Sequence, residues 1–370
     1  MNSESRKIVL ILGNGFDLDL GLKTSYKDFW ESEFCPKDYP APLIQHLNKR
    51  WSDDLEAVRW YDLENELRVY AQIENKTDLI DEKQRSYIKG HSDYDLTLAS
   101  TYTGMDDMFS SLVEAGIIRI EGVLRSAYVP YRDDLLESAT CRDRKAFGLI
   151  KECLCKYLTS ISGQSPSNHA IALDVLLAAN CARESGNILS IYTFNYTQLP
   201  VNHGNDFQSI VHHVHGNCEK GKIIIGTRDD GVIDENYDYL QKSFDPDFNP
   251  PALVADLLEA DEVIIFGHSI GENDRQYFKA FFKQQTDFTR PNRKEITIFT
   301  WDDDSEVGIK RSLQKMTDSN LSSLYGLNQV EIIKTSRIKD NPEQFRRFLT
   351  KHISEDLQVR VTMNQLLNQE

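Results

Sequence analysis

Seven short β-type runs set the strongest limit on what this chain can fold into: KIVLIL (7–12), NILSIYTF (187–194), SIVHHVH (209–215), KIIIG (222–226), EVIIFG (262–267), EITIFTW (295–301) and VEIIKT (330–335). A strand with one wet face alternates apolar and polar residues. Several of these runs are nearly continuous Val and Ile, so both faces must be covered, as in a parallel sheet flanked by helices. They predict an α/β fold with a mostly parallel, Rossmann-like sheet. The long stretch between the first two runs reads as helical. Val113, Ile117, Ile120 and Leu124 recur at i, i+4, i+7 and i+11, and Phe147, Ile150, Leu154 and Ile161 form a second stripe. The expected organisation is therefore an α/β core from residues 1–24 and 186–370 and a helical insertion subdomain from 25–185. Within the insertion, 74–107 is the most polar and least periodic segment and reads as a loop or cover, while 342–368 reads as helices closing the core.

Charge narrows the partners. The chain carries 58 acidic against 42 basic residues, a formal charge of −16, which excludes broad salt-driven binding to nucleic acid or anionic lipid. Six cysteines contain no C-x-x-C pair, so there is no zinc ribbon and no thioredoxin-type motif, and a reducing compartment is the simplest setting. The apolar run Ile8–Leu12 is too short for a signal-peptide core or a membrane span and leads straight into a glycine turn. A cytoplasmic protein, neither exported nor membrane-inserted, is expected.

Two glycine turns carry the functional question. Gly13 and Gly15 end the first run, where glycine permits a tight turn and lets a backbone come close to a ligand, and Asn14, Phe16 and Asp17 fall in the same turn. The third glycine of the dehydrogenase fingerprint is missing, since Leu18 occupies its position, and this weakens a hydride-transfer reading. The second turn, in DEVIIFGHSIGEND, reads two ways. Gly267, Ser269 and Gly271 form G-x-S-x-G, the pattern of a nucleophilic serine, with Asp302 to Asp304 and then His352 following in the chain order of a hydrolase. Alternatively the turn is a loop that contacts phosphate or ribose, with Ser269 as a ligand-binding hydroxyl. His352 sits in the helical pattern EQFRRFLTKHI, and G-E-N-D separates the serine from the next helix, with Asn273 or Asp274 as its cap. Both points favour the ligand loop, and serine hydrolase stands as the rival.

The ordered set G-N-G-F-D with G-L-K-T-S-Y-K-D-F, then T-F-N-Y-T (193–197), H-V-H-G (213–216) and F-G-H-S-I-G-E-N-D (266–274) closely resembles the AbiH family of phage abortive-infection proteins. It also resembles a distant sirtuin-type NAD-binding fold, whose signatures are G-A-G-x-S with G-I-P-x-F-R, then T-Q-N-I-D, an H-G pair and a late G-T-S-L. Gly13-Asn14-Gly15 with Gly21, then Thr193 to Tyr196, then His215-Gly216, then Gly267 to Ile270 follow that order. Lys23 replaces the signature proline, Trp30 the arginine, and the four-cysteine zinc module is absent. The resemblance implies NAD handling without protein deacylation, as in the sirtuin-like NADases of bacterial antiphage systems. NAD or a related dinucleotide would be the substrate, with no metal. The activity would be held silent until triggered, through homo-oligomerisation, a phage-derived trigger or a partner defence protein.

Cleaving the nicotinamide–ribose bond passes through an oxocarbenium-like ribosyl cation and needs polar groups beside the sugar and a base for water or hydroxyl. Asn195 follows a buried-looking strand at the carboxyl edge where open α/β sheets bind ligands. Its amide both donates and accepts. His215 can take a proton near neutral pH, and Gly216 beside it leaves room for a ligand. Asn195 and His215 are the candidate catalytic residues. Gly13, Asn14, Gly15, Phe16, Asp17, Thr193, Gly216, Gly267, Ser269 and Asp274 are the candidate binding residues. His212 and His213 read as structural, because H-H-x-H has no carboxylate at a metal-site spacing. Asp17 and Asp28 read equally as pocket residues or helix caps, and Glu64 and Glu66 as a solvated helix face from which one of them could reach into the cleft. A non-catalytic nucleotide sensor using the same pocket is the third function class.

Overall fold

A computed structural model describes residues 5–39, 41–52, 62–72, 125–162, 164, 167, 170–200, 210–229, 233–289 and 293–353. Six of the seven predicted runs enter one parallel sheet: β1 (Lys7–Leu12), β2 (Ile188–Thr193), β3 (Val211–His213), β6 (Glu262–Phe266), β7 (Glu295–Thr300) and β8 (Gln329–Lys334), in the spatial order β3-β2-β1-β6-β7-β8. The seventh does not. KIIIG supplies only β5 (Lys222–Ile223), paired antiparallel with β4 (Gly216–Asn217) in a separate two-stranded sheet. Its isoleucines are buried without belonging to the large sheet, and a short apolar run cannot distinguish those two fates.

The period of two along a strand divides the core into two layers. From β1, Ile8, Leu10 and Leu12 pack with residues of the helices Ile171–Glu184 and Glu343–His352. Val9 and Ile11 face the other way, toward the helices Leu253–Glu259, Arg275–Gln284 and Asp303–Met316. In β6, Ile264 and Phe266 join the first layer and Val263 and Ile265 the second. Both central strands are thus covered on both faces, as their composition requires. Fully burying one such side chain contributes about 1.5–3 kcal/mol.

The chain forms two compact units: Met1–Asp28 with Cys155–Ile224 and Asp247–Glu370, and Phe29–Leu154 with Ile225–Pro246. Against the 25–185 insertion expected from sequence, residues 155–185 stay with the sheet and 225–246 join the helical unit. The first difference follows from the helix Ile171–Glu184, whose Ala172, Val175, Leu176, Ala178 and Ala179 lie in the same layer as Ile8 and Leu10. The second follows from Lys242 and Tyr237, which are bonded to Glu64 and Asp143 inside the helical unit. The stripe at Phe147 and Ile150 lies buried on the helix Arg125–Ser162, as expected, while the stripe 113–124 and the segment 74–107 lie outside the described residues. Of the closing helices, Glu343–His352 is described. Among the described residues no helix is long and apolar enough to cross a membrane, and all six cysteines are free.

Candidate functional site

At the carboxyl end of β1 the chain turns at once into the six-residue helix Asn14–Asp19. Its end is set by Gly21, at φ +85°, with Leu22 N–H returning to Asp17 O and Gly21 N–H to Leu18 O. This pair of bonds is a Schellman closure, and it is what the later glycine of the motif does here. Asp17 lies in the first turn and caps nothing. It is 2% exposed, accepting from Asn195 Nδ2 at 2.9 Å on Oδ1 and from Thr197 Oγ1 at 2.6 Å on Oδ2. Burial pushes its pKa up to about 7, against the two hydrogen bonds that favour the charged form. Asp28, by contrast, is a cap. Ser25 and Asp28 exchange side-chain and backbone bonds in a capping box at the helix Tyr26–Glu31.

Asn195 leaves β2 into this cluster. Its Nδ2 also donates to Gly13 O at 3.0 Å, and its backbone N–H is held by Thr193 Oγ1 at 3.1 Å. Because Gly13 O can only accept, the amide nitrogen must face it, and Oδ1 is turned away. That oxygen accepts no hydrogen bond among the described residues and is not sealed from solvent. The amide expected both to donate and to accept therefore has its two donors engaged and presents an acceptor.

On the far side of Asn195 stand three histidines. His213 reaches Asn195 O through Nδ1 at 3.2 Å and takes Asn217 Nδ2 on Nε2 at 3.0 Å, so it ties two loops together. Burial pulls its pKa down, toward the neutral ring this bonding needs. His215 and His268 are both buried, and each points Nε2 at Asp274 at 3.3 Å, one on Oδ1 and one on Oδ2. Phe194 packs against both rings, with centroids 5.2 and 4.3 Å away. Phe194 immediately precedes Asn195, so the chain leaving β2 contacts both imidazoles through one residue and the Asp17 cluster through the next. His212 is exposed and stacks on Tyr192.

Several expectations need correcting. The sequence reading expects the first-turn glycines to let a backbone come close to a ligand, yet Gly13 N–H bonds Phe266 O at 2.9 Å and Gly15 N–H bonds Gly267 O at 2.8 Å. A Cβ on Gly13 would lie 2.5 Å from His268 Cα, and one on Gly267 would lie 2.5 Å from Gly15. These glycines let two loops pack backbone to backbone. Gly216, read as room for a ligand, has that room filled by Lys222 O, 2.2 Å from where its Cβ would be. Phe16 points into the core against Phe266 rather than toward the rim. Asn14 is half-buried and accepts from Thr24 Oγ1. Asp274 sits at the N-cap of Arg275–Gln284, but its side chain makes no cap bond.

The hydrolase reading fails on geometry. His352 is bonded to Glu262 Oε1 at 3.0 Å, and Glu262 begins β6 whereas Ser269 lies beyond its end, ~16 Å of strand away. Asp302 caps the helix Asp303–Met316 through Ser305 N–H. Ser269 is exposed and has no hydrogen bond to a base among the described residues. In the helical unit, Glu64 and Glu66 are buried rather than solvated: Glu64 pairs with fully buried Lys242 at 3.0 Å, and Glu66 contacts His46 and Arg50 at 3.4 and 3.2 Å. His268 and Thr197 are the members of the cluster that sequence reasoning did not single out. The signal was present in T-F-N-Y-T and G-H-S, since both residues lie inside the quoted motifs.

The sheet and the cluster at the carboxyl ends of β1, β2, β3 and β6 define a mixed α/β protein with a polar, histidine-bearing rim. The family model described as bacteriophage abortive infection AbiH matches residues 9–291, which include every residue of this cluster. The chain belongs to that family, and its role is in abortive infection. No curated protein and no solved structure matches it.

Proposed function

We propose that the protein is an abortive-infection effector that hydrolyses NAD to nicotinamide and ADP-ribose at this rim. What supports the reading is that Asn195 bonds the first glycine turn while its neighbour Phe194 packs on His215, at the carboxyl edge of the sheet where the resemblance expects a ligand. Strand order supports it. Taking the large sheet alone, the order is 3-2-1-4-5-6, that of doubly wound dinucleotide-binding sheets, and β1 and β6 flank the point where the order reverses. A sirtuin-like core is the form of that fold the motifs favour.

In the proposed reaction the C1′–N bond of NAD breaks and its electron pair leaves with the pyridine nitrogen, giving neutral nicotinamide. Water oxygen bonds C1′ and loses one proton, so NAD and water yield nicotinamide, ADP-ribose and a proton. Asn195 Oδ1 would accept from a ribose hydroxyl or from the water, and His215 would take the proton. With the Gly13 and Gly15 amides engaged by β6, the ligand would lie across the loops rather than between them, meeting Ser269 and the remaining polar groups. Incubating purified protein with NAD and following free nicotinamide by chromatography tests this. Release that is abolished by Asn195→Ala and His215→Ala is the expected result. Binding of NAD without release, in the presence of a triggering phage lysate, would instead make the protein a sensor.

A further inference from the structure

A carboxylate that is 2% exposed has given up its hydration, and the donors that replace the lost water show what it serves. Asp17 does not cap the helix Asn14–Asp19, and neither of its oxygens bonds a cation. Its two partners both come from the chain leaving β2. Oδ1 accepts from Asn195 Nδ2 at 2.9 Å and Oδ2 from Thr197 Oγ1 at 2.6 Å. Among the described residues the side chains of Asp17, Asn195 and Thr197 make no hydrogen bonds beyond these and the one from Asn195 Nδ2 to Gly13 O.

An asparagine amide has ends of opposite chemistry, and half a turn exchanges them. Gly13 O has no proton to give, so it draws the NH₂ end inward at 3.0 Å. One such bond would leave the amide able to pivot about it. The second, to Asp17 Oδ1, takes the remaining amide proton and fixes the plane of the group. A neutral Asp17 would do the same, because Oδ1 faces an NH₂ and the carboxyl proton would lie on Oδ2, toward Thr197. Thr193 and His213 hold only the backbone of Asn195, through its N–H and its carbonyl.

We infer that Asp17 is a positioning residue: by taking the second amide proton of Asn195 it turns Asn195 Oδ1 to the rim, so that a ligand meets a hydrogen-bond acceptor there. The group received at that point is a hydroxyl or an N–H. A phosphate diester oxygen, which carries no proton at neutral pH, is refused. In the reaction proposed above the group is the ribose hydroxyl or the attacking water. The inference takes its substrate from that reading and its geometry from hydrogen bonds that stand without it.

Two substitutions separate the bond from the bulk. Asp17→Ala removes the acceptor, whereas Asp17→Asn keeps it, since the new amide oxygen can accept from Asn195 Nδ2 with its own NH₂ toward Thr197. The full chain is labelled with ¹⁵N-asparagine, and the side-chain signals of Asn195 are assigned by their loss in Asn195→Ala. Exchange of its two amide protons with water is measured in wild type and both variants, with nicotinamide release from NAD on the same samples. In the wild type both protons should exchange slowly. In Asp17→Ala at least one should exchange fast, with kcat down roughly 100-fold and KM within a few-fold. Asp17→Asn should restore slow exchange and most of the lost kcat. Fast exchange in the wild type overturns the inference, as does slow exchange of both protons in Asp17→Ala, or an Asp17→Asn protein that regains slow exchange but stays as inactive as Asp17→Ala. The expected exchange pattern in samples that release no nicotinamide upholds the positioning of the amide and counts against the NAD reaction alone. Should Asp17→Ala not fold, the wild-type and Asp17→Asn spectra decide, because both must show two slowly exchanging protons.

Discussion

Asp17 offers a test of the cluster that does not depend on any ligand. A carboxyl group whose pKa rises from 3.8 to about 7 on folding binds its proton more tightly in the native state than in the unfolded chain. Its contribution is therefore most favourable below pH 3.8 and is lost as pH rises toward and through 7. At about 1.4 kcal/mol per pKa unit, the gap comes to ~4 kcal/mol, of which roughly 2 to 3 kcal/mol falls between pH 5 and pH 8. Asp17→Asn should remove that dependence at little structural expense. An asparagine oxygen can still accept from Asn195 Nδ2, and its NH₂ can donate to Thr197 Oγ1, whose hydroxyl rotates to accept. Urea unfolding of both proteins at pH 5 and pH 8 reads the difference directly. The variant should gain on the wild type by roughly 2 to 3 kcal/mol across that range. A difference that stays flat with pH, within about 0.5 kcal/mol, would mean that Asp17 is ionised in the folded protein and that the burial argument is wrong.

Two further predictions concern stability. Gly267→Ala places a Cβ 2.5 Å from the backbone of Gly15 and Phe16 at φ +64°, and should lower stability by several kcal/mol, whereas Gly21→Ala, at φ +85° with nothing within 4 Å, should lose only about 1 kcal/mol in the same thermal or urea melt. Burial alone would raise the pKa of Glu262, but the hydrogen bond and charge of His352 and the charge of Lys351 outweigh it and hold the group at about 2. Its stabilisation is present above 4.5 and lost as pH falls through about 2, so Glu262→Gln should be ~3 kcal/mol less stable than the wild type at pH 6, with the gap closing in melts taken toward pH 2.

What could be read from sequence divides along physical lines. The central strands β1, β6 and β7 were legible because burial on both faces leaves a nearly continuous apolar run, and β1 begins and ends where KIVLIL does. That Asn195 and His215 lie just beyond strand ends was legible because Asn195 follows directly on a β-type run and His215 closes one. The partners were not. Lys242 lies far along the chain from Glu64, so a helix read from its own periodicity shows two carboxylates and no reason to bury them. The order Ser269, Asp302, His352 imitates a hydrolase because chain order says nothing about which end of a strand a residue occupies, and His352 belongs to the end opposite Ser269. Glycine was legible as necessary, but not the cause: a close approach looks the same in sequence whether a ligand or another loop approaches.

That last ambiguity bears on how the rim could work. The loops after β1 and β6 are fastened by Gly13 and Gly15 amides, so the crevice at the reversal of strand order is closed by backbone. On the reading proposed above, recognition would then come from side chains on either side of it. One group is Asp17, Asn195 and Thr197, the other His215, His268 and Asp274, and Phe194 joins them by preceding Asn195 in β2's exit while contacting both imidazoles. The Asn195 backbone is in turn held by His213 and Thr193. On the reading proposed above, such a rim would favour preorganisation over induced closure, since side chains already held by hydrogen bonds and packing would lose little freedom when a substrate arrives.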